Sequence, residues 1–100
     1  MLLTVQLSDA ERDQVKQILT KHLPQAQFRI FGSRIYNTAR PYSDLDVAII
    51  DEKPIDLAKL SALEEDFANS SLPFKVDLID WRRISPEFRV RIESNYILLE

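Results

Sequence analysis

The sequence predicts an α/β (α+β) fold in a single domain spanning residues 1–100, built as a small mixed sheet of three strands with helices packed on it. Three observations carry that expectation. A chain of 100 residues is the size of one domain and can bury about two thirds of its unfolded surface. Its composition, 45% hydrophobic and 29% charged, supplies a core and argues against extended disorder. Apolar residues alternate along the chain between helical three- and four-residue spacing and short β-rich runs.

The elements follow in order. Ser8-Asp9-Ala10-Glu11 is a capping box, so a helix starts there, with Val15, Ile18, Leu19 and Leu23 as its apolar stripe and Pro24 ending it near His22. A histidine in the last turn suits the helix dipole and needs no catalytic role. Gln27 to Phe31, bounded by Pro24 and Gly32, reads as the first strand, and Leu45 to Ile50, apolar except for Asp46, as the second. Asp56 caps a helix in which Leu57, Leu60, Leu63 and Phe67 recur at helical steps, with Glu64, Glu65 and Asp66 as a solvated face. Phe74 to Asp80 is the third strand. Ser85-Pro86 then offers an N-cap followed by proline at the first helical position, and Phe88 and Ile92 form that helix's apolar side.

The order is α-β-α-β-α-β-α, the second helical piece being no more than a short helix start after Gly32. Residues 32–44 are too few for a crossover helix with its loops, so the first two strands are expected to be antiparallel. The strand-helix-strand unit that follows makes the second and third parallel, joined by a right-handed crossover. Tyr96-Ile97-Leu98-Leu99 is an apolar ending, expected either to bury against another chain or to add a short fourth strand.

Composition narrows the chemistry. With no cysteine and one histidine, disulfide frameworks, thiolate metal sites, cysteine nucleophiles and histidine-rich zinc sites are out, which leaves carboxylates. A net charge of -3 gives no overall drive toward nucleic acid or anionic lipid, and no stretch reaches the ~18 apolar residues of a membrane span. With no targeting pattern in Met1 to Leu7, the chain is expected to be cytoplasmic.

Gly32 is the only glycine and falls where the first strand ends, followed by Ser33 and Arg34. A glycine permits close approach of a ligand, and a serine hydroxyl with backbone N–H groups at a short helix start can hold phosphate oxygens; the plain alternative is a turn glycine. Ser43-Asp44-Leu45-Asp46 opens the second strand. Alternate strand residues share a face, so Asp44 and Asp46 project together unless Asp44 belongs to the loop. Such a pair is costly unless a cation neutralises it, and hard oxygen ligands suit Mg²⁺. The expected pairing sets Gly32-Ser33 opposite Asp44 and Asp46 and brings Asp77 to the level of Asp46, with Asp80 on the other face. Three carboxylates beside a phosphate-binding turn are the parts of two-metal phosphoryl or nucleotidyl transfer.

Gly32-Ser33, ten residues, then Asp44-Leu45-Asp46, with Asp77 on a later strand, resembles the G-S-x10-D-x-D signature of the DNA polymerase β-like nucleotidyltransferases over about residues 8 to 95. The small size and the Phe-Gly-Ser-Arg and Ser-Asp-Leu-Asp runs look most like the minimal nucleotidyltransferases, antitoxin partners of HEPN-domain toxins. The resemblance implies the nucleotidyltransferase fold. It implies catalytic and metal-holding roles for Asp44, Asp46 and Asp77, which would carry two Mg²⁺, and nucleotide contacts for Gly32 and Ser33. It also implies ATP as donor, with AMP passing to a hydroxyl, that of a tyrosine, on the HEPN toxin. The alternatives are a binding partner that neutralises the toxin without catalysis, and a small-molecule nucleotidyltransferase, which is expected to need a further acceptor domain.

Arg34, Ser43 and Lys75 are further candidates for phosphate contact, although salt bridges and loop or strand capping are commoner fates. Tyr36 and Tyr42 are expected to anchor the loop, with base stacking as the alternative. Arg82, Arg83, Arg89 and Arg91 form a basic cluster, read as a solvated face or as a patch for RNA or an acidic partner.

Overall fold

Ser8 opens the first helix as its sequence requires: in the computed structural model, the Glu11 N–H donates to Ser8 Oγ at 3.1 Å and the Ser8 N–H donates to Glu11 Oε1 at 2.9 Å. The structure describes residues 5–36, 40 and 42–100. The reading of the N-terminus therefore falls outside the described residues at 1–4, and that of the 32–44 connection at 37–39 and 41.

Helix α1 runs Asp9–His22, β1 Gln27–Phe31, β2 Leu45–Ile50, α2 Leu57–Ala68, β3 Val76–Asp80, α3 Pro86–Ser94 and β4 Ile97–Leu98, with single 3₁₀ turns at Ser33–Ile35 and Trp81–Arg83. The strands lie in the order β3-β2-β1-β4. Pairing is antiparallel between β1 and β2, parallel between β2 and β3, and antiparallel between β1 and β4. The mixed sheet is thus as expected, with the fourth strand present. The apolar ending is accordingly spent on this sheet: the Leu99 N–H donates to the Phe28 carbonyl at 3.0 Å and the Leu99 side chain is buried. Of the two expectations for this segment, the fourth strand is the one present, and it covers the β1 edge that would otherwise stand unpaired.

Both faces of the sheet are covered. Phe28, Ile30, Val47, Ile49 and Val76 pack with Val15 and Leu19 of α1 and Leu63 and Phe67 of α2. On the other face, Ala48 meets Trp81 and Ile92, with Phe31, Ile50, Phe88 and Tyr96 around them. One member of the expected α2 stripe departs: Leu57 is 68% exposed. Six residues at 3.6 per turn put it about 120° round the axis from Leu63, off the buried side. At the C-terminal end of α1, His22 Nε2 lies 2.5 Å from Asp66 Oδ2, a tie to α2 that gives part of the acidic run a partner. That contact holds the Asp66 carboxyl below its usual value, chiefly through the hydrogen bond from His22.

Asp80 is on the α1/α2 side, opposite to Asp77, and is buried. It accepts from the N–H groups of Ile55 (2.9 Å) and Arg82 (3.0 Å) and from Arg83 Nη1 (3.0 Å). A buried carboxylate so satisfied is a structural cap that locks the 3₁₀ turn after β3 to the segment leading into α2. No described helix is long and apolar enough to cross a membrane.

Candidate functional site

The site grows from two registers. Antiparallel pairing sets Phe31 opposite Asp46, and parallel pairing sets Asp46 beside Asp77. Neighbouring residues on adjacent strands point to one face about 4.8 Å apart, so the two carboxylates share the face on which α3 packs. Asp44 stands one residue before β2, on the exposed side of the loop, which is the alternative the sequence left open.

Gly32 follows with φ +83° and ψ -158°, a backbone region essentially reserved for glycine. A Cβ there would land on the Asp46 carboxylate. The missing side chain therefore makes room for Asp46, a reason different from the phosphate approach expected of it. Ser33 begins the single 3₁₀ turn, accepting at its carbonyl from the Tyr36 N–H at 3.3 Å.

Electrostatics single out Asp46. Its carboxyl is pushed up to about 6, first by burial and then by the charges of Asp77 and Asp44. Among the described residues, no ion pair ties Asp77, and Arg29, a conceivable partner, instead lies over the Trp81 ring (5.1 Å) and the Tyr96 ring (4.3 Å). Among the described residues the side chains do not stand in a ready three-ligand metal geometry. Backbone register brings Asp46 and Asp77 together.

Arg34 is turned inward, toward the carbonyls of residues 6 and 43. It is 4% exposed, its Nε (3.1 Å) and Nη2 (2.8 Å) donate to the Ser43 carbonyl, its Nη1 donates to the Gln6 carbonyl (2.8 Å), and its guanidinium lies 4.1 Å from the Phe74 ring centre. The structure gives it a clamping part, because a fork of donors satisfies several buried carbonyls at once. Ser43 is a loop cap, its Oγ accepting from the Arg40 N–H at 2.8 Å. Lys75 is exposed, its carbonyl accepting from the Leu45 N–H at 2.9 Å. Tyr36 and Tyr42 are 49% and 78% exposed, so burial does not anchor the loop through them.

The members of the basic cluster have separate partners, although Arg82, Arg83 and Arg91 are exposed. Arg82 donates to the Asp51 carbonyl at 2.8 Å, Arg83 pairs with Asp80, and Arg89 donates to the Trp81 carbonyl at 3.0 Å while lying 5.5 Å from its ring centre. Sequence reasoning used Phe31 only as part of the Phe-Gly-Ser-Arg run and gave no functional weight to Phe88 or Asn95. They line a cleft beside Gly32, and only the return of α3 across the sheet brings them there.

The fold and the sequence both have counterparts among known proteins. The pattern of the family described as Polymerase beta, Nucleotidyltransferase matches residues 13–100. A Haemophilus influenzae protein named a probable protein adenylyltransferase, MntA, is 43% identical over 86 residues, covering 86% of this chain and 75% of that protein. A crystal structure of a toxin-antitoxin with AMP-PNP superposes with a TM-score of 0.77 at 24% identity, over 89% of this chain and 72% of that one. A tri-AMPylated Shewanella oneidensis HEPN toxin in complex with MNT antitoxin gives a TM-score of 0.69 at 24% identity, over 89% and 68% of the two chains. At these identities the two structures bear on the fold, while the family match and the Haemophilus influenzae relative bear on descent. The chain belongs to the polymerase beta nucleotidyltransferase family.

Proposed function

We propose that the chain, taken as one domain over residues 1–100, is an antitoxin that moves AMP from ATP to a tyrosine hydroxyl of a HEPN-domain toxin, releasing pyrophosphate. The observation that carries the reading is the pair Asp46 and Asp77 side by side, with the glycine turn closing on Asp46. Family membership supports the reaction class, and the adenylyltransferase name of the Haemophilus influenzae relative supports a protein acceptor. A nucleoside triphosphate as donor puts the reaction in the cytoplasm, where ATP is held.

The donor set fits a divalent cation, because hard carboxylate oxygens repelling one another around a half-buried Asp46 are what Mg²⁺ relieves. Asp44, Asp46 and Asp77 would hold two Mg²⁺, whose chemistry when bound is to neutralise phosphate charge and align attacking and leaving oxygens. The Ser33 hydroxyl and the turn behind Gly32 hold the triphosphate. Asp77, reaching the site from a different strand than Asp44 and Asp46, takes the proton from the acceptor hydroxyl as its oxygen bonds to the α-phosphorus and the bond to the pyrophosphate oxygen breaks. Arg34 acts at one remove, holding the Ser43 carbonyl and so the loop that delivers Asp44.

The test is incubation of the chain with its HEPN partner, Mg²⁺ and ATP labelled at the α-phosphate. Label on the toxin with the wild type, and none with Asp46→Asn, is expected. Toxin neutralised by both proteins without label would establish the binding-partner reading instead.

A further inference from the structure

Asp44 is exposed, yet the peptide units on both sides of it are held. The Ser43 carbonyl accepts from Arg34 Nε (3.1 Å) and Nη2 (2.8 Å), and the Leu45 N–H donates to the Lys75 carbonyl at 2.9 Å. A peptide unit is planar, so fixing the two that flank a residue fixes its φ and ψ, and with them the direction in which its side chain leaves the backbone. The Leu45 anchor continues the β2–β3 ladder. The Ser43 anchor is only as firm as Arg34, and Arg34 is held from ahead of α1. The Gln6 N–H donates to the Arg34 carbonyl at 2.7 Å, and Arg34 Nη1 donates to the Gln6 carbonyl at 2.8 Å. One residue thus grips Arg34 by its backbone and by its guanidinium. Its neighbours Val5 and Leu7 pack on the core beneath α1 and α2, and the Leu7 N–H donates to the Val5 carbonyl at 3.1 Å, a three-residue turn centred on Gln6.

We infer that residues 5–7 form a strap belonging to the working site, in which Gln6, through its backbone, is a positioning residue that seats Arg34 and so sets both the Ser33–Ile35 turn and the direction of Asp44. This rests on the nucleotidyltransferase reading of Asp44, Asp46 and Asp77, and it goes further by giving a part in nucleotide binding to a segment that carries none of the motif. The strap reaches only part of the site. Arg34 lies inside the turn that Ser33 opens and its guanidinium holds the residue before Asp44, so Ser33 and Asp44 move with it. Asp46 and Asp77 lie within paired strands, and the sheet register keeps them in place whatever the strap does. A loosened strap therefore weakens capture of the nucleotide, while bound nucleotide at saturation draws the turn and loop back and the reaction proceeds at its usual rate.

Gln6→Pro removes the one N–H that meets the Arg34 carbonyl. The common form of a three-residue turn holds its central φ at about −75°, which proline adopts, so the rest of the strap is kept. Transfer of α-labelled AMP to the HEPN partner is measured with the full chain, per folded molecule and well below the melting temperature. Gln6→Pro is expected to raise KM for Mg²⁺-ATP about fivefold, the scale of one hydrogen bond, with kcat changed by less than about twofold. Gln6→Ala, which restores the N–H, is expected to return KM to the wild-type value. Amide exchange without nucleotide or metal is expected to quicken in Gln6→Pro at Ile35, Tyr36 and Ser43, whose N–H groups close the turn and the loop, and to stay unchanged in β2. A lowered melting temperature with KM and those amides unmoved would make the segment a brace for the fold alone and overturn the proposal, as would an equal rise of KM in Gln6→Ala. In both cases label transfer by the wild type leaves the nucleotidyltransferase reading standing. A wild type that transfers no label overturns the two together.

Discussion

Replacing Gly32 by alanine adds one methyl group and tests the core of the site. The backbone at φ +83° and ψ -158° costs a non-glycine residue about 1–3 kcal/mol. The new Cβ also falls on the Asp46 carboxylate, 3.1 Å from its Cγ, and rotating that side chain off its preferred well costs a further ~0.5–1.5 kcal/mol. The total, about 1.5–4.5 kcal/mol, is less than the ~5–15 kcal/mol that holds a typical domain, so the variant folds. Its melting temperature is expected to drop by on the order of 10–20 °C. Transfer of labelled AMP, measured per folded molecule well below that temperature, is expected to fall by orders of magnitude because Asp46 has moved. The two contributions separate in an Asp46→Ala background. There the collision is gone, and Gly32→Ala should cost only its backbone share, leaving a coupling of about 0.5–1.5 kcal/mol. Strictly additive stability losses would refute the contact, and undiminished transfer would refute the need to hold Asp46 where it is.

Asp77→Asn is expected to leave Mg²⁺-ATP affinity little changed while transfer to the toxin falls by orders of magnitude; retained turnover would remove its catalytic role. The pH dependence of stability follows from Asp46, whose folded value of about 6 lies above the 3.8 of the free side chain. Between those values the folded state holds more protons, so stability of the metal-free protein falls as pH rises through the window. Melts from pH 4 to pH 7 should show that slope in the wild type and a reduced one in Asp46→Asn, and an identical slope in both would contradict the assignment. Arg34→Lys exchanges a buried fork for a single ammonium and is expected to lower stability by about 1–3 kcal/mol while weakening transfer through the loop. Unfolding in urea together with the label assay checks both, and a fully stable, fully active lysine variant would show that the clamp is dispensable.

Much of the architecture was legible because it is written in local chemistry. The Ser8 capping box, the Ser85-Pro86 start of α3 and the bounds of β1 and β2 follow from caps, prolines and apolar runs that act within a few residues. The register of Asp46 beside Asp77 followed from connection lengths, because a short link forces antiparallel pairing and a helical crossover forces parallel pairing. The Gly-Ser and Asp-Leu-Asp pieces, with their spacing, were enough to place the family.

What the sequence could not decide were matters of which group meets which across the sheet. Gly32 reads alone as a turn glycine, with phosphate approach as the other use, and only the folded sheet shows that the space it leaves is filled by Asp46. Arg34 follows the motif and invites a phosphate, yet burial among carbonyls of residues 6 and 43 turns it inward. Four arginines read as one patch, but a 3₁₀ turn and a helix send three of them to separate carbonyl or carboxylate partners. The cleft beside Gly32 unites residues 31 and 95, which no local pattern relates. Spacing along a chain determines caps and periodicity because those interactions span one turn or one strand. Contacts between distant segments depend on the packing of every element between them, and only the folded sheet with α3 laid across it settles those.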